Sequence, residues 1–225
     1  MSSIALAALF FVGLHLLVAG TRARDRLVDV LGELGYMGAF SLAAIAGIVW
    51  LCIAWAGSPP AAPQWNLAFL RPVVLVLMFV AFAFVVIGLT TPSPTVTGGE
   101  GQLEGDEPAQ GILRITRHPF LWGVALWGAC HVAMNPDPPS LLFFGSLLVL
   151  AALGPLSIDA KRRRKHGERW DRFAAVTSNV PFAAIVAGRN RLALGEFGGW
   201  RIGLAVVLYA VFLGAHPMLF GTSPL

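Results

Sequence analysis

The chain has 225 residues, of which 56% are hydrophobic and only 12% are charged, and its mean hydropathy is +0.72. Soluble domains carry about 25% charged residues, so this composition excludes a soluble enzyme and a disordered protein. The net charge of +4 does not indicate nucleic-acid binding, because seven of the sixteen Lys and Arg residues fall within residues 161–172, beside an apolar segment. Cys52 and Cys130 both lie in apolar runs, which excludes a disulfide framework.

Six apolar stretches are long enough, or nearly so, to cross a bilayer, which takes about 20 helical residues. They predict an all-α integral membrane protein, a bundle of about six transmembrane helices. The first stretch is not a cleavable signal peptide, because its cations follow the apolar run instead of preceding it. In chain order the stretches are residues 3–20, 35–56, 72–91, 119–135, 140–157 and 202–220.

Lysine and arginine in the short loops predict the orientation of these spans. Lys and Arg residues follow the first span, precede the fourth and follow the fifth. The loops 57–70 and 136–139, on the other side, contain no Lys or Arg. If the cationic loops are cytoplasmic, both termini lie outside, in a bacterial inner membrane. The cations concerned are Arg22, Arg24, Arg26, Arg114, Arg117 and the cluster at 161–172.

Two of the cytoplasmic segments have distinct compositions. Residues 91–111 are rich in Gly and Pro, so we expect a mobile, solvated loop that packs no core. Residues 159–176 place Trp170, Phe173 and Ala174 on one helical face among cations, which predicts a cationic interfacial helix lying at the headgroups. The acids of the first segment are Glu100, Glu104, Asp106 and Glu107.

Histidines are the candidate functional groups inside the membrane, where ionisable residues are costly and usually functional. His15 and His131 lie within spans that contain no deep Asp, Glu, Lys or Arg. His118 begins the fourth span and His216 lies near the end of the sixth, whereas we expect His166 to be solvated in the cationic segment. A single buried histidine is most often a hydrogen-bonded contact between helices.

Two histidines that face one another across helices are typical ligands of a membrane b-type haem. Other metal sites would need further ligands, preferably carboxylates, which the spans lack. His118 and His131 are thirteen residues apart on one helix, a rise of ~20 Å, so they cannot both bind one iron. One of them would pair with His15, and depth in the membrane leaves open which.

The segment 114–123 places Arg117, His118 and Pro119 at the start of the fourth span. Proline suits the first helical turn. Free N–H groups and a guanidinium at a helix N-terminus can bind an anion. Arg117 and His118 are therefore candidate catalytic residues, and the alternative is that they anchor the helix at the membrane interface.

Four stretches resemble the NnrU family, which includes bacterial proteins linked to denitrification and the plant 15-cis-zeta-carotene isomerase. They are Gly-Leu-His-Leu-Leu-Val-Ala-Gly-Thr-Arg at 13–22, Ile-Leu-Arg-Ile-Thr-Arg-His-Pro at 112–119, residues 127–131 and residues 165–185. The resemblance covers about residues 13–191. It divides the chain into an NnrU-like domain, 1–198, whose residues 158–198 are cytoplasmic, and an additional C-terminal helix, 199–225. It implies a b-type haem with His15 and His131 as the axial iron ligands.

A weaker resemblance links the Arg-His-Pro motif and a later Gly-Glu to membrane methyltransferases that act on isoprenylcysteine or phospholipid. It implies that His118 helps to hold S-adenosylmethionine. The chain departs from that pattern at Phe120 and at Ile158-Asp159, where those enzymes carry a tyrosine and paired glutamates.

Three functional hypotheses follow for a protein whose partners are the lipid bilayer and a lipophilic small molecule, without nucleic acid. The first is a haem b protein that isomerises a lipophilic polyene or performs another one-electron reaction. The second is an S-adenosylmethionine-dependent methyltransferase. The third is a non-enzymatic factor in nitrogen-oxide metabolism.

Overall fold

The computed structural model describes residues 1–96, 98–105 and 107–225. Those residues form helices, turns and loops without any strand, so the predicted all-α class is confirmed. The helices are α1 (Ser2–Gly13), α2 (Arg22–Ala56), α3 (Arg71–Thr90), α4 (Pro119–Met134), α5 (Pro138–His166), α6 (Glu168–Val176), α7 (Ala183–Val186) and α8 (Gly199–Phe220).

Among the described residues, five helical segments are long and apolar enough to cross a membrane. They are α1 with its π-helical extension Leu14–Ala19, α2, α3 with a preceding 3-10 turn, α5 and α8. The shorter apolar α4 corresponds to the fourth predicted span, residues 119–135. The chain is therefore an integral membrane protein with about six membrane helices, as predicted.

The second span differs from its prediction because α2 begins well before the apolar run. Helix α2 starts at Arg22, capped by the Thr21 side chain, which accepts a hydrogen bond from the Ala23 N–H at 3.2 Å. Gly32 interrupts the helix with φ 73°, a conformation that favours glycine. The charged part before Gly32 is thus a separate arm, and the predicted span 35–56 follows it.

The chain divides into two compact units. The first unit contains Met1–Ala68 and Gly128–Lys161. Within it, α1 approaches α2 so closely that a Cβ at Gly47 would lie 3.0 Å from the Phe10 ring. A Cβ at Gly128 would lie 3.1 Å from Leu148, which brings α4 equally close to α5. Glycine at these positions lets the helix backbones pack against one another.

The second unit contains Phe69–Trp127 and Arg162–Leu225. Within it, α3 packs against α8, and the Tyr209 hydroxyl donates to the Leu75 carbonyl at 2.8 Å. The Tyr209 ring also contacts Phe79 and Phe82, with ring centroids 5.6 Å apart in each case. Gly123 on α4 meets α3, because a Cβ there would lie 2.8 Å from the Ala81 carbonyl oxygen.

The prediction that residues 91–111 pack no core is wrong. Leu103 and Ala109 are buried in a cluster with Leu113, Trp170 and Phe173. The acids that suggested a solvated loop are paired with cations elsewhere in the second unit. These pairs are Glu100 with Arg162, Glu104 with Arg169 and Glu107 with Arg114; Asp106 lies outside the described residues.

The predicted cationic helix is present as α6, after a break at Gly167, where φ is 52°. Its apolar residues Trp170 and Phe173 are 1% and 0% exposed, and Ala174 packs against them. This face therefore packs against protein. Only the exposed polar side of α6 is available for the predicted contact with lipid headgroups.

Candidate functional site

His15 lies in the π-helical turn that ends the first span. Its Nδ1–H donates to the Phe11 carbonyl oxygen at 2.7 Å. Because a carbonyl oxygen only accepts, this bond fixes the proton on Nδ1 and leaves the Nε2 lone pair for another partner. The ring packs against Phe11 and edge-on against Phe40, with centroids 4.5 and 5.2 Å away.

His131 lies on α4, one turn before the helix ends, and stacks on Phe144 of α5. The ring centroids are 4.6 Å apart and the planes meet at 27°. Phe144 contacts the Trp55 ring at 5.6 Å, and Trp55 stacks on Phe143 at 4.8 Å. The Trp55 indole N–H donates to the Ser140 hydroxyl at 3.1 Å, which holds this aromatic row in place.

The structure places His15 and His131 in the same compact unit, on different helices. They have different aromatic neighbours: Phe11 and Phe40 surround His15, whereas Phe144 contacts His131. The described residues contain no cluster of three or more His, Cys, Asp or Glu side chains that could hold a metal ion. The assignment of the two histidines as iron ligands stays a prediction.

A cavity of about 420 Å³ opens beside the aromatic row in the first unit. Trp55 lines it together with Asp137 and several prolines. The Asp137 carboxylate accepts the Ser140 N–H at 3.0 Å and thereby caps the start of α5. The row Trp55, Phe143 and Phe144 therefore runs from this cavity to His131, and sequence periodicity contained no indication of it.

The Arg-His-Pro segment lies in the second unit and is held by the chain that follows α6. Thr116 donates from its hydroxyl to the Asn179 carbonyl, and the Trp122 indole donates to the same carbonyl at 2.8 Å. The Arg117 N–H donates to the Ser178 carbonyl at 3.0 Å. These bonds fix the start of α4 through backbone groups that are distant in sequence.

His118 is buried at the start of α4, with 2% of its surface exposed. The Arg117 guanidinium lies 3.4 Å from the Thr177 hydroxyl, at the long end of hydrogen bonding. The two candidate catalytic residues are thus adjacent in sequence but differ in burial. Their catalytic role stays a prediction.

Sequence analysis missed Arg114, the buried arginine of this region, which is 7% exposed. Its guanidinium donates to both carboxylate oxygens of Glu196, at 2.8 and 2.9 Å, and to Asn190 at 3.0 Å. The hydrogen bonds from Arg114 lower the pKa of Glu196. Because Glu196 lies 82 positions later, no local pattern indicated this pair.

The expectation that His166 is solvated is also wrong. Its Nε2 is buried and has no hydrogen-bond partner among the described residues. Burial, together with the nearby cations Arg162 and Lys165, lowers the pKa of His166. Burial and the nearby cations therefore disfavour the charged form of this imidazole.

Two relatives of the chain are named 15-cis-zeta-carotene isomerase, chloroplastic. The protein from Arabidopsis thaliana is 28% identical over 116 residues, covering 50% of this chain and 32% of that protein. The protein from Zea mays is 32% identical over 82 residues, covering 36% of this chain and 22% of that protein. The matched part thus covers about a third or less of these relatives. No solved structure matches the chain.

The sequence profile of the family described as NnrU protein matches residues 3–224. The match includes α8, which the motifs within residues 13–191 did not reach. The division of the chain at residue 198 stays a prediction. Because the match extends over nearly the whole chain, this protein belongs to the NnrU family.

Proposed function

We propose that this protein is a membrane isomerase that binds haem b and acts on cis double bonds of a lipophilic polyene. Family membership and the partial similarity to the plant isomerases support this reaction class. The structural observation that carries the proposal is the aromatic row from the 420 Å³ cavity to His131. An aromatic row suits a long conjugated hydrocarbon, which has no polar groups to satisfy, and Ser58 and Asp137 are the polar residues in the cavity lining.

The donor set fits haem b. His15 uses Nδ1–H for the Phe11 carbonyl, and its free Nε2 is the atom that would bind iron. A histidine that ligates a metal commonly donates its other N–H in this way, which fixes the ring orientation. His131 is the second imidazole of the same unit, and Phe144 restrains its ring plane.

When bound, haem b supplies one-electron chemistry at its iron. The residues of this chain would hold the group and keep its surroundings dry. Phe11 and Phe40 shield His15, and Phe144 shields His131. The spans around them carry apolar side chains, so a hydrocarbon substrate can reach the unit from the bilayer.

The test is a reduced-minus-oxidised spectrum of the full-length protein in nanodiscs, followed by an assay with a cis polyene. We expect a six-coordinate low-spin b-type spectrum that is lost in both His15→Ala and His131→Ala. His216→Ala is the matched control, because its Nδ1–H also donates to a carbonyl, that of Thr222, at 2.7 Å, but in the second unit. The control should retain the spectrum.

Other results would favour a different haem ligand or a different function. Loss of haem in His118→Ala but not in His131→Ala would make His118 the ligand. Binding of S-adenosylmethionine by a haem-free protein would instead favour the methyltransferase hypothesis. A normal haem spectrum without turnover of any cis polyene would refute the isomerase reaction and favour a non-enzymatic role in nitrogen-oxide metabolism.

A further inference from the structure

A second cavity, of about 490 Å³, lies in the second unit, and its lining includes four arginines and two glutamates, Glu104 and Glu107. Its volume falls in the range that small-molecule sites occupy. One wall is α6 and another is the chain just after α7, and Leu103 and Ala109 of the 91–111 segment contribute to a third. The arginines are Arg114, Arg169, Arg172 and Arg189.

Carboxylates compensate two of these arginines. Arg114 is paired with Glu196 and Glu107, as described above. Arg169 lies 3.1 Å from Glu104, and both side chains are well exposed, at 58% and 68%. Such an exposed pair is weak and can rearrange when a ligand arrives.

The other two arginines keep an uncompensated charge. The Arg189 guanidinium donates to the carbonyls of Ala175 and Thr177, at 2.6 and 3.0 Å. These bonds fix the side chain at the C-terminal end of α6 without neutralising it. The side chain of Arg172 is exposed and has no hydrogen bond or ion pair with any other described residue.

Arg172 and Arg189 offer an anion two guanidinium groups that have no carboxylate partner, and the four lining arginines outnumber the three carboxylates paired with them by one. A phosphate monoester carries about −1.5 to −2 at neutral pH and offers three acceptor oxygens. The planar guanidinium donates two parallel hydrogen bonds to such a group, which an ammonium group cannot do. Asn190, which also lines the cavity, already receives a hydrogen bond from Arg114 and is held in position.

The cavity lies on the chain segments between α3 and α4 and between α5 and α8. Because two membrane helices separate these segments, both emerge on the same side of the bilayer. A phosphate can therefore come from a lipid headgroup at that surface or from a soluble phosphate ester.

We propose that this arginine-lined cavity binds a phosphate group, in addition to the proposed reaction at the histidines. The full-length protein in lipid-free detergent would be titrated with sn-glycerol 3-phosphate by calorimetry. Arg172→Gln should weaken binding roughly tenfold or more, because a charge-assisted hydrogen bond contributes about 1.5–3 kcal/mol. Arg172→Lys should recover only part of the affinity, since it restores the charge but not the paired donors.

Arg164→Gln is the matched control. It removes one exposed cation from the same cluster, but Arg164 does not line the cavity. It should change the affinity less than about twofold if direct contact, and not general charge, determines binding. Arg189→Gln should also weaken binding, and its thermal unfolding would reveal any separate loss of the α6 cap.

Competition identifies the source of the phosphate. Nanodiscs that contain phosphatidic acid, but not those of phosphatidylcholine alone, would occupy the cavity if the ligand is a headgroup. Unchanged glycerol 3-phosphate binding in both kinds of nanodisc would assign a soluble ester. No binding of glycerol 3-phosphate or of phosphatidic acid, or an equal loss in Arg164→Gln, would overturn the proposal. Because the measurement is binding, its outcome does not depend on haem or on isomerase activity.

Discussion

We expect the ion pair of Glu100 with Arg162 to hold residues 98–105 in place, and the loss of the Glu100 charge to let them open more often. Its carboxylate accepts from Arg162, whose side chain is only 6% exposed, and lies 3.8 Å from Lys165. Burial acts to raise the pKa of Glu100, but hydrogen bonds from Arg162 and from backbone N–H groups outweigh it and lower the pKa to about 2. The change to test is Glu100→Gln.

The size of the effect follows from the pKa. A fall from 4.5 to about 2 corresponds to up to about 3 kcal/mol in favour of the folded segment at pH 7. Breaking a buried ion pair typically costs 3–5 kcal/mol, because the remaining charge stays buried, which agrees with that figure. Because the folded-state pKa is lowered, this stability is present above about pH 4.5 and is lost as the pH falls towards 2.

Hydrogen exchange of a peptide that covers residues 98–105 measures the opening of this segment directly. At pH 7 we expect Glu100→Gln to exchange roughly 100-fold faster, which is about 3 kcal/mol. Between pH 7 and pH 3 the wild-type segment should lose about 2 kcal/mol through this residue, whereas the variant should lose none of it. Glu104→Gln, in the exposed pair with Arg169, is the control and should change exchange only slightly. Equal exchange in both variants would refute the reasoning.

Three further predictions follow from the loops, the Arg-His-Pro segment and the α3–α4 contact. Reporter fusions after Arg26 and after residue 172 should be cytoplasmic, and fusions after residue 138 and at the C-terminus should be outside; a cytoplasmic C-terminus would remove a span from the topology. Arg117→Ala should lower isomerase turnover about tenfold while haem content and protein yield stay near wild type, because a guanidinium at a helix N-terminus is placed to bind an anionic group; equal loss of folded protein would identify a structural anchor. Gly123→Ala should cost about 1–3 kcal/mol in thermal unfolding, because its Cβ meets the α3 backbone, whereas Gly145→Ala, with open space around it, should not.

The membrane helices were predictable because a bilayer demands long apolar runs, and such runs are visible in one dimension. The start of α2 at Arg22 was not visible, because its charged residues before Gly32 form no apolar run and end at a glycine with positive φ. Local composition also led to a wrong prediction for residues 91–111, where acidic residues beside Gly and Pro suggested a solvated loop. The partners of those acids lie more than sixty positions away for Glu100 and Glu104.

The candidate site was likewise predictable only in part: the sequence shows its histidines but not the residues that surround them. His15 and His131 stand out because a polar group in an apolar run is costly and therefore visible. Their surroundings were not visible, since Phe144 is one of many aromatic residues in these spans and only the packing of α5 selects it. The pair of the buried Arg114 with the partly exposed Glu196 likewise depends on where the chain runs after α7.

Phe144→Leu tests whether this packing positions His131. Leucine keeps most of the apolar volume at a site that is 5% exposed, but it removes the ring that stacks on the imidazole. An aromatic pair contributes about 0.5–1.5 kcal/mol beyond its buried area, so the protein should still fold. Without that restraint the imidazole plane can rotate, and we expect a broadened low-spin signal in electron paramagnetic resonance and a several-fold faster loss of haem. Phe143→Leu is the matched control, because Phe143 is 8% exposed and stacks on Trp55. If Phe143→Leu broadens the signal as much as Phe144→Leu, the aromatic row acts as general packing and does not orient His131.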